Sequence, residues 1–332
     1  MKKLTGITVA GNVLVDFVKM IESYPEKGML VTIENQSLAV GGCVPNTAID
    51  LKKLDSELVV NAIGLVGKDE FGSFVKNYML NVCVDVSGIK THPSSPTGYS
   101  DVMTVKSTGE RTFFHNRGAN KYFSSSDVDV DNLDCKIFHA GYLMLLDSLD
   151  KLGENGKTQM SELLAKIRTK GIATSIDLVS ESSGDFKKIV RSALPYTDYV
   201  IINEIEAGNV AGISPRDKDG KVLDDNVLSI MKTILDMGVN QKVIVHCPEK
   251  GYCLSKNGEF TISPSIKLPK GFIKGSVGAG DAFCAGCLYA IYNDYNDSDM
   301  LEFANLVAVN CLSSYDSVSG VKNKDKLRDC LN

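Results

Sequence analysis

Residues 274–293 read KGSVGAGDAFCAGCLYAIYN, a glycine-rich turn running straight into a helical pattern. Gly278 and Gly280 let the backbone approach a ligand closely, and the first helical turn offers unpaired N–H groups at the positive end of its dipole. With Ala279 between them, these residues form an anion hole. Asp281 follows within the first turn, where a carboxylate repels the anion unless it has a chemical task. Taking a proton from an attacking hydroxyl is such a task, because phosphoryl transfer needs positioning, charge stabilisation and one proton acceptor. A plain helix cap by Asp281 stays open as the alternative. Phe283 stands where a dinucleotide site has its third glycine, and no Gly-Lys-Ser/Thr ending marks a phosphate loop.

Outward from this turn, apolar runs alternate with helical patterns, as expected of βα units on a mainly parallel sheet. Strands are predicted over 6–10, 58–64, 136–142, 172–177, 199–203 and 242–246, and helices over 46–54, 161–170, 227–238 and 282–293. Two stretches, 13–40 and 97–118, instead alternate apolar and polar positions and read as antiparallel. They predict a small sheet inserted twice into the α/β core, forming a lid over a pocket at the carboxyl ends of the core strands. No repeat, low-complexity segment or linker interrupts residues 1–332, so one domain is expected.

The 332 residues are 43% hydrophobic, enough to bury a large core. The net charge of −5 is scattered rather than blocked, which argues against nucleic acid or an anionic membrane as partner and for a small soluble molecule. Gly6, Gly11, Asn12 and Asp16 interrupt the apolar stretch behind the basic N-terminus, so no secretion signal is expected. With no uncharged apolar run of the ~18 residues that span a bilayer, a cytoplasmic protein is expected. Nine cysteines, an odd number spread through apolar stretches, indicate reduced, mostly buried thiols. The Cys284/Cys287 pair lies in an apolar helical pattern and reads as helix packing rather than a metal or redox site.

Six segments, in order along nearly the whole chain, resemble the PfkB family of carbohydrate kinases: GNVLVDFV (11–18), GGCVPNTAIDLKKL (41–54), GLVGKDEFG (64–72), RGAN (117–120), NEIEA (203–207) and GAGD (278–281). The resemblance implies a ribokinase-like α/β fold, a three-layer αβα core with a mainly parallel sheet and an inserted lid. It implies an enzyme that moves the γ-phosphoryl group of ATP onto a hydroxyl of a small sugar, with Asp281 as general base and residues 278–280 as anion hole. It places Asp16, Gly41, Gly42 and Asn46 around the sugar, and Arg117 within reach of the substrate or the transferring phosphate. Asn203 and Glu206 would organise Mg²⁺ through water and touch the nucleotide phosphates. Plainer readings stay open: a strand-end Asp16, a simple turn at Gly41 and Gly42, a solvated Arg117, and a cap by Asn203 with a solvated Glu206.

Two departures from the family pattern stand out. Where Thr-x-Gly-x-x-Gly typically flanks the nucleotide, this chain has His246, Cys247, Pro248, Glu249, Lys250 and Gly251, of which only Gly251 matches. His246 either donates to a phosphate or packs at the strand end. Gly275 and Ser276 replace an Asp-Thr pair ahead of the tetrad; Ser276 stays assigned to the nucleotide, and loss of the aspartate predicts weak or no activation by K⁺. Segments 11–18 and 64–72 look closer to fructokinase and ketodeoxygluconate kinase members, whereas Asp177 is followed by LVSES instead of the fructokinase pattern. The sheet-like alternation of the lid, with no obvious aromatic pair to hold a base, favours a free monosaccharide over a nucleoside. A nucleoside kinase and a catalytically silent sugar- or nucleotide-binding regulator remain alternatives, and a nicotinamide oxidoreductase lacks its fingerprint. In this family the exposed side of the inserted sheet often serves as a dimer surface, so the resemblance is compatible with a homodimer through the lid.

Overall fold

The structure, a computed structural model, describes residues 4–179 and 185–331; of the LVSES stretch only Leu178 and Val179 fall inside them. The elements run β1 (Ile7–Gly11), β2 (Leu14–Ile21), β3 (Ile33–Gly41), α1 (Cys43–Leu54), β4 (Val60–Gly67), α2 (Glu70–Asn81), β5 (Asp85–His92), β6 (Gly98–Val105) and β7 (Arg111–Asn116). Next come β8 (Ile137–Leu143), α3 (Asp147–Asp150), α4 (Gln159–Arg168), β9 (Ala173–Leu178), α5 (Phe186–Ala193), β10 (Tyr199–Asn203), α6 (Glu204–Ala211) and α7 (Asp224–Asp236). β11 (Lys242–His246), β12 (Lys250–Ser255), β13 (Phe260–Pro264), α8 (Ala279–Tyr292) and α9 (Asp297–Leu312) follow.

Among the described residues, nine strands form the main sheet in the order β13-β12-β11-β10-β9-β8-β1-β4-β5. The sheet is parallel from β11 to β5, and β12 and β13 add an antiparallel edge. Because side chains alternate faces along a strand, Val200, Ile202, Val243 and Val245 join one core while Ile201 and Ile244 join the other. Helices α1, α2, α8 and α9 seal one face and α4 to α7 the other, which gives the expected three layers. Strand order reverses at β1 and β8: β4 and β5 build outward on one side, and β9 to β11 on the other. Connections leave in opposite directions there, opening a crevice at the carboxyl ends.

β3, β2, β6 and β7 form a separate four-stranded sheet. The β2–β3 and β6–β7 pairs are antiparallel as expected, but the two insertions join through a parallel β2–β6 pair, which no local turn signal announces. The 58–64 run becomes strand further along, as β4, and the helix expected over 282–293 begins at Ala279 because Gly278 caps it. No helix among the described residues is long and apolar enough to cross a membrane. All nine cysteines are free thiols; Cys284 and Cys287 are buried in α8 as the packing reading has it. Cys284 also meets His139, its Sγ 3.6 Å from Nε2.

Candidate active site

Gly278 sits at φ 80° and a Cβ there would lie 2.5 Å from Ser317 O, so both conformation and space demand glycine. It is the N-cap of α8 and no side chain caps the helix; Ala279 N–H makes only a long bond to Ser276 O at 3.4 Å, and the N–H groups of Gly280 and Asp281 have no backbone acceptor among the described residues, so the first turn can receive a ligand. Asp281 does not cap its own helix. Its Oδ1 accepts from Tyr142 OH at 2.5 Å and its Oδ2 from Asn46 Nδ2 at 2.9 Å. Burial pushes the carboxyl up to about 6, against the pull of these two hydrogen bonds.

The Asn46 amide is itself oriented, since Ser317 Oγ donates to its Oδ1 at 2.8 Å. Asn12 ties α1 to β8: its Oδ1 accepts from the backbone N–H of Cys43 and of Tyr142, both at 3.1 Å. Its Nδ2 is buried with no protein acceptor. Gly42, at φ 89°, leaves no room for a Cβ, which would sit 2.7 Å from Asn12 O, and a Cβ on Gly41 would collide with the Asp16 carboxylate. The glycine pair is therefore required by the protein's own packing. Asp16 projects from β2 beside Ser100 of β6. Burial raises its carboxyl to about 7; a hydrogen bond from Ser100 and the Arg111 charge oppose the rise, while the Asp281 charge adds to it.

Asn203 caps α6: its Oδ1 accepts from Glu206 N at 2.8 Å, and Glu206 Oε2 accepts from Asn203 N at 3.1 Å. The cap is real, but Glu206 is buried and faces the cleft rather than bulk solvent. Asp177, at the end of β9, is held well above the usual carboxylate range by burial, then by the charges of Glu206 and Asp281.

One cleft of about 730 Å³ between the two sheets brings together Asp16, Gly42, Asn46, Arg117, Asn203, Glu206, His246, Ser276, Gly278, Gly280 and Asp281. Gly41 lies behind Asp16, and Ala279 lies in the first turn of α8. Arg117 has a protein partner besides the cleft, and Gly251 is placed differently from expectation. The Arg117 guanidinium lines the cleft but is paired with Asp147. Gly251 pairs across β11–β12 with His246 and packs on Phe283 outside the lining. His246 reaches the cleft as a neutral ring, since burial pulls it down to about 4, and lies 4.9 Å from the Phe283 ring. Asn12, Tyr142 and Asp177 escaped the sequence reading although each follows or ends a core strand at the switch point, the one signal that marks them. Ser100, Phe113 and His115 enter the lining from the small sheet, and only its register reveals them.

Compared with known proteins, residues 4–323 match the description pfkB family carbohydrate kinase. The chain belongs to this family. It is thus an ATP-dependent carbohydrate kinase, as the resemblance implied. Members similar to it include the ribokinase of Haemophilus influenzae, 23% identical over 98% of each chain. The nucleoside kinase of Methanocaldococcus jannaschii is 24% identical over 89% of this chain and 86% of its own. The solved ribokinase of Arabidopsis thaliana, complexed with ribose and ATP, superposes with a TM-score of 0.81 over 99% of both chains at 18% identity. That likeness establishes the ribokinase-like fold.

Proposed function

We propose that the cleft holds ATP and a small sugar side by side, and that Asp281 accepts the proton of the sugar hydroxyl that attacks the γ-phosphoryl group. The observation that carries this is the Asp281 carboxylate: it sits in the first turn of α8, is held from outside its own helix, and has its affinity for a proton raised toward neutrality. As the hydroxyl oxygen bonds to phosphorus, the bond from phosphorus to the ADP oxygen breaks and the proton passes to Asp281. N–H groups of residues 278–280 stabilise the charge on the transferring group. Asp16 accepts from sugar hydroxyls, and the partnerless Nδ2 of Asn12 donates to one.

Asp177 and Glu206 are two buried carboxylates whose charges oppose each other, a donor set that suits a hard cation with oxygen ligands. They would hold Mg²⁺, Glu206 through water, and the ion would neutralise phosphate charge. The small sheet acts as a lid that excludes water when it closes. In this reading the enzyme works in the cytoplasm, and two copies pair through the outer face of the small sheet. There Leu38, Phe17, Asp101 and Phe114 form one cross-strand row, with Leu38 and Phe114 exposed.

A nucleoside acceptor is the second reading. Phe113, absent from the sequence reading, lines the cleft and is 55% exposed, an apolar face on which a base could stack. A coupled ADP-release assay with fructose, ribose, ketodeoxygluconate, tagatose, inosine and adenosine, each with ATP and Mg²⁺, decides between them. Asp281→Asn should lower kcat by roughly 10²–10⁴-fold while sugar affinity stays nearly intact. Near-normal turnover in that variant would remove the assigned base. Sugar binding without ADP release from any acceptor would point to a silent regulator.

A further inference from the structure

A second cavity, of about 850 Å³, lies beneath the other end of the small sheet, against the backbone of residues 273–276. Its lining contains polar groups that the fold leaves without partners. Nε and Nη1 of Arg111 and Oγ1 of Thr104 are buried and make no hydrogen bond within the protein. Thr104 and Arg111 are cross-strand neighbours in β6 and β7, and Thr104 is only 8% exposed. Gly275 makes the room for the guanidinium, since a Cβ there would come 2.8 Å from Arg111 Nη2. Buried donors left unpaired are costly, and native folds rarely keep three together without a use. Asp316 also lines the cavity, but its Oδ1 already accepts from the N–H groups of Val318 and Ser319.

We infer that this cavity is a binding site for a small phosphorylated metabolite, its phosphate seated on Arg111 and Thr104. A phosphate has three acceptor oxygens to meet three orphan donors, and Lys274 at the rim adds positive charge. Asn35 and Ser37, on the same face of the sheet, offer a polar wall to a hydroxylated body. The site communicates with the catalytic cleft by construction. The row Met20–Thr104–Arg111 and the row Asp16–Ser100–His115 lie on one face of one sheet, and Ser276 lines both cavities. A ligand here binds the small sheet to the turn ahead of the anion hole. The inference stands whichever hydroxyl compound the kinase phosphorylates.

The test is calorimetric titration of fructose 6-phosphate into the full chain with a non-hydrolysable ATP analogue saturating the catalytic cleft, with inorganic phosphate as competitor. One equivalent should bind, and phosphate should displace it. Arg111→Gln should weaken binding about tenfold or more and Thr104→Val by a smaller factor, whereas Asn12→Ala, which removes a donor from the sugar side of the catalytic cleft, should leave it unchanged. Thermal unfolding checks that each variant is folded; if Arg111→Gln is not, Thr104→Val decides. Failure of both probes to bind, binding that survives these lid variants, or binding abolished by Asn12→Ala would overturn the inference.

Discussion

In the proposed function, burial and the Tyr142 hydroxyl together set the pH at which Asp281 can work. Burial raises the carboxyl, the hydrogen bonds from Tyr142 and Asn46 pull against it, and the balance lies at about 6. A base must be unprotonated to act, so kcat should climb as pH rises through about 6 and then level off. Tyr142→Phe removes the stabilising donor, makes the carboxylate hold its proton to higher pH, and should move that limb upward. A limb that stays in place, measured by steady-state kinetics across about pH 4–8 (roughly two units either side of the main titration), would show that another group controls the profile. In the proposed function Asp16, raised to about 7, faces the sugar instead of the transferring group, so its titration should appear in KM.

At the scale of the element, α1 carries an unusual load. Asp50 is fully buried in this helix and both of its carboxylate oxygens lack partners. Burial holds its carboxyl well above the ordinary value of 3.8, with the nearby Lys53 charge opposing. The folded state therefore keeps a proton that the unfolded chain releases, so Asp50 favours folding most below pH 4 and loses that contribution as pH rises toward its folded value. Asp50→Asn should raise stability at pH 7 by roughly 1 kcal/mol or more and flatten its decline from pH 4 upward. Denaturant unfolding at a series of pH values reads both effects. An unchanged pH slope would show that the carboxylate is stabilised by other means.

Across the whole molecule, the turn ahead of the proposed anion hole meets a positive charge from the fold itself. Gly275 brings no carboxylate to the turn, and the Arg111 guanidinium already lies beside it. Turnover should therefore not rise steeply when K⁺ is added at constant ionic strength; a steep rise would require a cation site of other residues. The outer face of the small sheet supports a quaternary prediction. Sedimentation should show a dimer that Leu38→Glu with Phe114→Glu converts to monomer, and a wild-type monomer would dismiss the pairing.

Local signals determined much of this protein: the parallel core, because βα periodicity is written within each run, and the helix mouth around Asp281, because glycine and helix-start chemistry act over a few residues. The tetrad was legible for that reason, whereas Asp16 and the Gly41–Asn46 segment were marked by their resemblance to the family. Tertiary structure alone decided that Tyr142 and Asn46 hold Asp281, that Arg117 turns to Asp147, and that Arg111 and Thr104 meet beneath the small sheet. Those arrangements depend on strand register and on side chains 139 and 235 residues from Asp281 in the chain. Packing sets such encounters only after the chain has folded, and no nearby residue announces them.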